Sequence, residues 1–231
     1  MRIANRELEA LLHAAAAKFV DDESAAYFAH QYLRTHFKKA PRMTPLGEAV
    51  ADLQSWRDNG DAAFSPVVDK AGVVIYDGKG LAPSLKLKAI HDDLAERAGR
   101  HGMAAAGLTN TAGIVTLGLW TDALAERDLV GIAFFNGGAA CCVPHGGRRG
   151  IFGTNPMAYA IPTEGAPLCL DMATTEIPFF DVRIAKEKGT PLPKGVAVGP
   201  DGRPTTDADR AFGDDGVANL LPLGGGYKGY G

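Results

Sequence analysis

Apolar and polar positions follow a helical period over the first part of the chain. From Asn5 to Val20, leucines and alanines recur at three- and four-residue spacing, and the stretch from Glu23 to Phe37 repeats the pattern. A third helix-like stretch runs from Gly47 to Arg57 and stops at the turn-forming residues 58–61. The pattern predicts an N-terminal helical segment, residues 1–68, that opens with a helical hairpin.

Shorter apolar runs then alternate with helical ones. "GVVIYDG" predicts a strand, "PSLKLKAIHDDLAERAGRHG" a helix with Pro83 at its start and Gly102 past its end, and "MAAAGL" a second strand. Further on we expect a helix over Leu117 to Arg127, strands in "LVGIAFF", "PMAYAIP" and "PLCLDM", a short helix in "DVRIAKEKG" and a hairpin in "VAVGPDGRPTTD". The order predicts an α/β domain over residues 69–231.

Composition narrows the class of partner. The 231 residues are 46% hydrophobic and carry a formal net charge of −3 with both signs interspersed, which argues against nucleic acid or a membrane as partner. Charged residues near the N-terminus argue against a signal peptide, so we expect a cytoplasmic protein. The three cysteines lack C-x-x-C spacing, which indicates reduced thiols and no metal site. A small molecule is therefore the expected ligand.

The last stretch, "LLPLGGGYKGYG", carries the spacing G-x-G-x-x-G at Gly224, Gly226 and Gly229. In a Rossmann fold these glycines follow a strand directly and an acidic residue lies downstream. Here Pro222 interrupts the strand and no downstream residue follows. The spacing is interpreted as incidental, and the absence of G-x-x-x-x-G-K-[ST] argues against a kinase or ATPase.

Three motifs in order, "GIFGTNPMAYAIP", "LCLDMATT" and "LGGGYKGYG", resemble the type 2 malate/L-lactate dehydrogenase family. The family includes ureidoglycolate and sulfolactate dehydrogenases and the reductases of cyclic imino acids. The resemblance implies a nicotinamide-binding α/β fold that is not Rossmann, NAD or NADP as cofactor, and a homodimer.

The resemblance also assigns cofactor-binding residues. It places Thr154 with Asn155, and the Asp171, Met172 and Ala173 segment, against the cofactor, and Lys228 with Gly229 against its phosphates. A lysine between glycines agrees with this physically, because it offers a cation and unobstructed backbone N–H groups to a dianionic diphosphate. The alternatives are a solvated Lys228 and an Asp171 that caps the following turn.

Reduction of a 2-oxo acid needs a proton donor and a cation for the carboxylate. In the family these come from an Asp-Ser-His-Gly segment and a following arginine. The corresponding stretch here is "RTHFKKAPRM", which offers His36 as donor, paired with Asp181, and Arg42 as substrate clamp. Lys39 is a second candidate donor, and a structural His36 remains an alternative.

The chain departs from the family pattern at several positions. Arg34 and Phe37 replace the flanks of the Ser-His pair, and Gly113 with Ile114 stands where relatives place a second histidine. That loss favours a keto- or imino-acid reductase, because an iminium substrate can arrive protonated. His145 could replace the lost group, although a role in its turn is the preferred interpretation.

Family chains continue past the last motif, so a chain ending at Gly231 is expected to lack the C-terminal part of the family fold, as a fragment or a degenerate product. The leading hypothesis is an NAD(P)-dependent oxidoreductase that interconverts small 2-oxo or cyclic 2-imino acids with hydroxy or amino acids. The alternative is a degenerate relative that binds nucleotide or a partner without turnover.

Overall fold

A computed structural model describes residues 5–38, 45–59, 64–113, 116–225 and 227–228, with the side chains of 5–34 and 47–59 in the first two ranges. Lys39, Arg42, Ile114 and Gly229 lie outside the described residues. Contacts divide the chain into two compact units, Met1–Gly131 with Tyr159–Cys169, and Ile132–Ala158 with Leu170–Gly231.

The first unit begins with the three helices that the period predicts: α1 (Asn5–Ala16), α2 (Asp22–Lys38) and α3 (Pro45–Asn59). They share one core with residues that follow the first strands. Phe28 and Tyr32 of α2 are buried in the same cluster as Leu81, Leu85 and Leu119. The helices thus bury their apolar faces against the segment after residue 68, and the first compact unit extends past that residue. The division into a helical segment 1–68 and a domain 69–231 stays a prediction.

The β-α-β unit is confirmed. Strand β2 (Val73–Asp77) pairs in parallel with β3 (Ala105–Thr109), and the connection runs through a 3-10 turn (Pro83–Lys86) and helix α4 (Leu87–His101). Gly102 then ends α4 with a φ of 81°. An antiparallel edge strand, β1 (Ser65–Lys70), was not anticipated, because Pro66 and the charges of "SPVVDK" obscure its pattern.

The remaining predicted elements also form. Helix α5 (Gly118–Ala125) precedes β4 (Gly131–Phe134), and a second three-stranded sheet has the order β4, β5 (Met157–Ile161), β6 (Leu168–Met172). Helices α6 (Phe179–Lys188) and α7 (Ala208–Ala211) follow. The Pro-Asp-Gly hairpin is a single antiparallel bridge between Val198 and Pro204.

The core of the second unit joins segments that are far apart in sequence. Val182 and Ala185 of α6 pack in one buried cluster with Cys141, Ala197 and Leu220. Cys141 and Cys142 are buried free thiols and Cys169 is exposed. Across the described ranges, no helix is long and apolar enough to cross a bilayer, and no three His, Cys, Asp or Glu side chains cluster as a metal site would require.

Candidate cofactor site

The three family-like motifs meet in the second unit. The Thr174 amide donates to the Thr154 carbonyl oxygen at 2.9 Å, and the Leu223 amide donates to the Thr174 carbonyl oxygen at 2.9 Å. Thr175 forms an antiparallel bridge with Pro222. The segment 173–176 therefore lies between the Gly-Thr-Asn-Pro element and the glycine loop, although the three are widely separated in sequence.

Thr174 ties the first two motifs together through its side chain as well. Its hydroxyl lies 3.0 Å from the Thr154 carbonyl oxygen and 3.1 Å from that of Asn155, and the residue is only 9% exposed. A buried hydroxyl with two acceptors in reach fixes the backbone of both segments.

The Gly-Thr-Asn-Pro element needs its first glycine. A Cβ at Gly153 would lie 2.0 Å from the Gly137 carbonyl oxygen, so a side chain is excluded there unless the backbone moves. Asn155 adopts a φ of 35°, which is uncommon outside glycine, and is 9% exposed. Its Oδ1 is buried without a hydrogen-bond partner among the described residues, which marks a polar atom that a ligand or a small rearrangement could satisfy.

The glycine loop presents backbone amides and a cation together. Gly224 and Gly225 have φ values of 89° and 76°, which glycine adopts at no steric cost. The Gly225 amide donates to the Oε1 atom of Glu176 at 2.6 Å. Lys228 folds back towards the turn, since a Cβ at Gly224 would lie 3.2 Å from the Lys228 Cβ. Amides in this conformation beside a lysine suit an anionic group.

His145 contacts this loop. Its ring lies edge-on to the ring of Tyr227, with centroids 5.4 Å apart, and Tyr227 is 66% exposed. The sequence favoured a role for His145 within its own turn, and the structure adds a contact with the residue before Lys228.

Asp171 and Met172 end strand β6, and both are half-buried, as is Ala173. Asp171 lies within the strand, and the next helix, α6, starts only at Phe179. These three residues lead directly into the Thr174 junction, and a capping role of Asp171 in the following turn stays an alternative.

The predicted proton-transfer residues fall in different units. His36 lies on α2, one turn after Tyr32, and its side chain is not described; Asp181 is half-buried in the first turn of α6. A carboxylate in the first turn also complements the helix dipole. The pairing of His36 with Asp181 remains a prediction, as do the roles of Lys39 and Arg42.

Arg34, which replaces an acidic residue of the family pattern, forms an ion pair with Glu126. Its side chain is 16% exposed. The position is therefore used to hold α2 beside the end of α5.

Sequence reasoning did not single out Thr174 or Glu176. Thr174 lies within the "DMATT" motif, but no local sequence pattern predicts that its hydroxyl bridges two segments. The contact of Glu176 with Gly225 joins residues 49 positions apart, and no spacing in the sequence predicts it.

Comparisons with known proteins agree with these motifs. The family model described as malate/L-lactate dehydrogenase matches residues 43–231. The chain is 37% identical over 181 residues to the Delta(1)-pyrroline-2-carboxylate/Delta(1)-piperideine-2-carboxylate reductase of Pseudomonas putida, covering 78% of this chain and 52% of that protein. It is 36% identical over 124 residues to the (2R)-3-sulfolactate dehydrogenase (NADP(+)) of Chromohalobacter salexigens, covering 53% and 36%.

Among solved structures, delta1-piperideine-2-carboxylate reductase from Pseudomonas syringae superposes with a TM-score of 0.77 at 28% identity. The match covers 98% of this chain and 68% of that one. The chain thus spans about half the length of the P. putida reductase and about two thirds of the P. syringae structure.

Proposed function

Since the chain belongs to the malate/L-lactate dehydrogenase family, we propose that it binds NAD(H) or NADP(H) and interconverts small 2-oxo or cyclic 2-imino acids with the corresponding hydroxy or amino acids. The observation that carries the proposal is the junction at Thr174. It brings the Gly-Thr-Asn-Pro element, the Asp-Met-Ala-Thr element and the glycine loop together through short hydrogen bonds.

The residues at the junction fit a dinucleotide. In the proposal Lys228 and the amides of Gly225 and Gly229 bind the phosphates, because a cation beside backbone N–H donors stabilises a diphosphate. Thr154, Asn155, Asp171, Met172 and Ala173 line the rest of the cofactor site. The buried, unpartnered Oδ1 of Asn155 supports this assignment, since a polar atom of this kind is costly unless it gains a partner.

When bound, the nicotinamide supplies the hydride for reduction. His36 is the proposed proton donor to the substrate, with Asp181 holding its second ring nitrogen and so its tautomer. Arg42 would bind the substrate carboxylate in a bidentate pair. Lys39 is the alternative donor.

Cyclic 2-imino acids are the favoured substrates. Gly113 occupies the region where relatives are expected to carry a second histidine, and an iminium carbon accepts hydride without a further proton transfer to oxygen. The P. putida and P. syringae relatives are named as reductases of such acids.

The second candidate is a relative that binds nucleotide without turnover. Arg34 favours it, because the position preceding the Thr35-His36 pair is engaged in an ion pair with Glu126 and carries the opposite charge to the family's acidic residue. We further propose that the protein is cytoplasmic and forms a homodimer. Light scattering of the purified chain would test the dimer.

The experiment is a fluorescence titration with NADH and NADPH, followed by absorbance at 340 nm with pyruvate, oxaloacetate and piperideine-2-carboxylate. Binding with turnover is expected, and turnover should fall in His36→Ala or, if Lys39 is the donor, in Lys39→Ala. Lys228→Ala should weaken nucleotide binding about tenfold, whereas Lys194→Ala, an exposed lysine of the same unit, should not. Binding without turnover would favour the second candidate, and no binding would overturn both nucleotide proposals.

A further inference from the structure

Glu176 places a carboxylate on the glycine loop. Its Oε1 accepts the Gly225 amide hydrogen at 2.6 Å, a short hydrogen bond for a backbone N–H donor. Its own amide donates to the Leu221 carbonyl oxygen at 2.9 Å, which fixes the backbone of Glu176 beside the segment that leads into the loop. Glu176 therefore contacts the loop through its side chain and the segment before the loop through its backbone.

The Gly225 amide is also the group that an anion would use. Gly224 and Gly225 both have positive φ, and consecutive amides in such a turn form a concave site for anions. The Glu176 carboxylate stands in chemically for a phosphate oxygen at this position: both are anionic oxygen acceptors of the same N–H group.

We propose that Glu176 sets the affinity of the loop for the cofactor diphosphate, by holding the Gly225 amide in the free protein and opposing the phosphate charge. The inference rests on the proposed function, since it assumes that the loop binds a diphosphate. A phosphate that takes the Gly225 amide must displace the carboxylate, and the displaced carboxylate still lies close to the phosphate. Lys228, whose stem lies beside Gly224, carries a positive charge on the same loop that would offset part of this repulsion.

The proposal predicts a gain of binding on mutation. Glu176→Gln keeps an oxygen acceptor for Gly225 and removes the charge, so NADH and NADPH should bind about five- to tenfold more tightly, as expected for like charges about 4 Å apart that are screened as strongly as in bulk water. Glu176→Ala removes the competing acceptor as well and should bind at least as tightly as the wild type. The gain should shrink at high salt, because ions screen exposed charges.

The test is a fluorescence titration of the 231-residue chain and its variants with NADH and NADPH at low and high ionic strength. Glu164→Gln, which makes the same charge change at an exposed position in the turn before β6, is the matched control and should bind like the wild type. Tighter binding by Glu176→Gln, together with unchanged binding by Glu164→Gln, supports the inference.

Two results would overturn it. Unchanged or weaker binding in Glu176→Gln, with the wild type still binding nucleotide, would show that the carboxylate serves only to order the loop, and the proposed function would stand. Failure of the wild type and every variant to bind would remove the proposed function itself. Exchange of the Gly225 amide with solvent gives a readout without nucleotide: it should be faster in Glu176→Ala than in the wild type.

Discussion

The hydroxyl of Thr174 lies 3.0 Å from the carbonyl oxygen of Thr154, and the amide of the same threonine donates to that oxygen at 2.9 Å. One residue thus fastens the Asp-Met-Ala-Thr segment to the Gly-Thr-Asn-Pro segment. The hydroxyl is the part of this junction that can be removed without changing the backbone.

Thr174→Val should lower the free energy of unfolding by about 1 to 2 kcal/mol, because it replaces a buried, hydrogen-bonded hydroxyl with a methyl group of similar size and removes a donor from the Thr154 and Asn155 carbonyl oxygens. Urea unfolding measures the change. Thr206→Val, at an exposed threonine of the same unit, is the control and should be nearly neutral. Equal stability of the two variants would mean that the hydroxyl does not hold the junction.

Gly153→Ala tests the close contact between the backbones of Gly153 and Gly137. The added Cβ would meet the Gly137 carbonyl oxygen at 2.0 Å, so the backbone must move, and we expect a loss of about 2 to 3 kcal/mol. Gly165→Ala is the matched control, because a Cβ there has open space. Thermal unfolding of both variants decides: similar melting temperatures would contradict the packing described for Gly153.

Asp52 links α3 to α2 and to the 3-10 turn. Its carboxylate is 6% exposed and accepts hydrogen bonds from the hydroxyls of Tyr32 and Ser84. Burial raises the pKa of Asp52 to about 6, and the two hydrogen bonds offset part of that rise.

A pKa raised on folding gives stability that is present below the unfolded value of 3.8 and is lost as the pH rises through about 6. Over that window the loss amounts to about 3 kcal/mol at most. Asp52→Asn keeps an acceptor for Tyr32 and Ser84 but does not titrate. Its free energy of unfolding, relative to the wild type, should therefore rise between pH 4 and 7; parallel profiles would contradict the assignment.

Titration of His91 should change the free energy of unfolding with pH in the opposite direction to titration of Asp52. It is fully buried, with Nδ1 2.8 Å from the Tyr27 hydroxyl and Nε2 3.2 Å from the Trp120 carbonyl oxygen. Since a carbonyl only accepts, Nε2 carries the hydrogen and Nδ1 accepts from Tyr27. Burial, and then the charge of Arg127, lower the pKa of His91 to about 4.

A pKa lowered on folding gives stability that is present above the unfolded value of 6.5 and is lost as the pH falls towards 4. His91→Gln should be less stable than the wild type at neutral pH, and its stability should fall less on acidification. Because Asp52 and His91 oppose each other between about pH 4 and 6, the wild-type profile should be flatter there than that of Asp52→Asn. A steeper wild-type profile would contradict this account.

Periodicity predicted the helices, the β-α-β unit and most strands, because each depends on a local pattern of apolar residues. It does not reveal that Tyr32 and Leu119 share one buried cluster, since that contact depends on packing between distant segments. The motifs predict Thr154 and Lys228 as members of one cofactor site, and these roles stay predictions. The contact of Glu176 with Gly225 needed coordinates, because a single carboxylate near a glycine loop has no pattern of its own.

The central claim, that three motif segments form one cofactor site, is tested most directly by amide spectra of the isotope-labelled chain with and without NADPH or NADH. The account predicts shift changes together at Asn155, at Thr174 and at Gly225 with Lys228, while Gly165 stays unchanged. Shift changes confined to one segment, or none with either nucleotide, would contradict it.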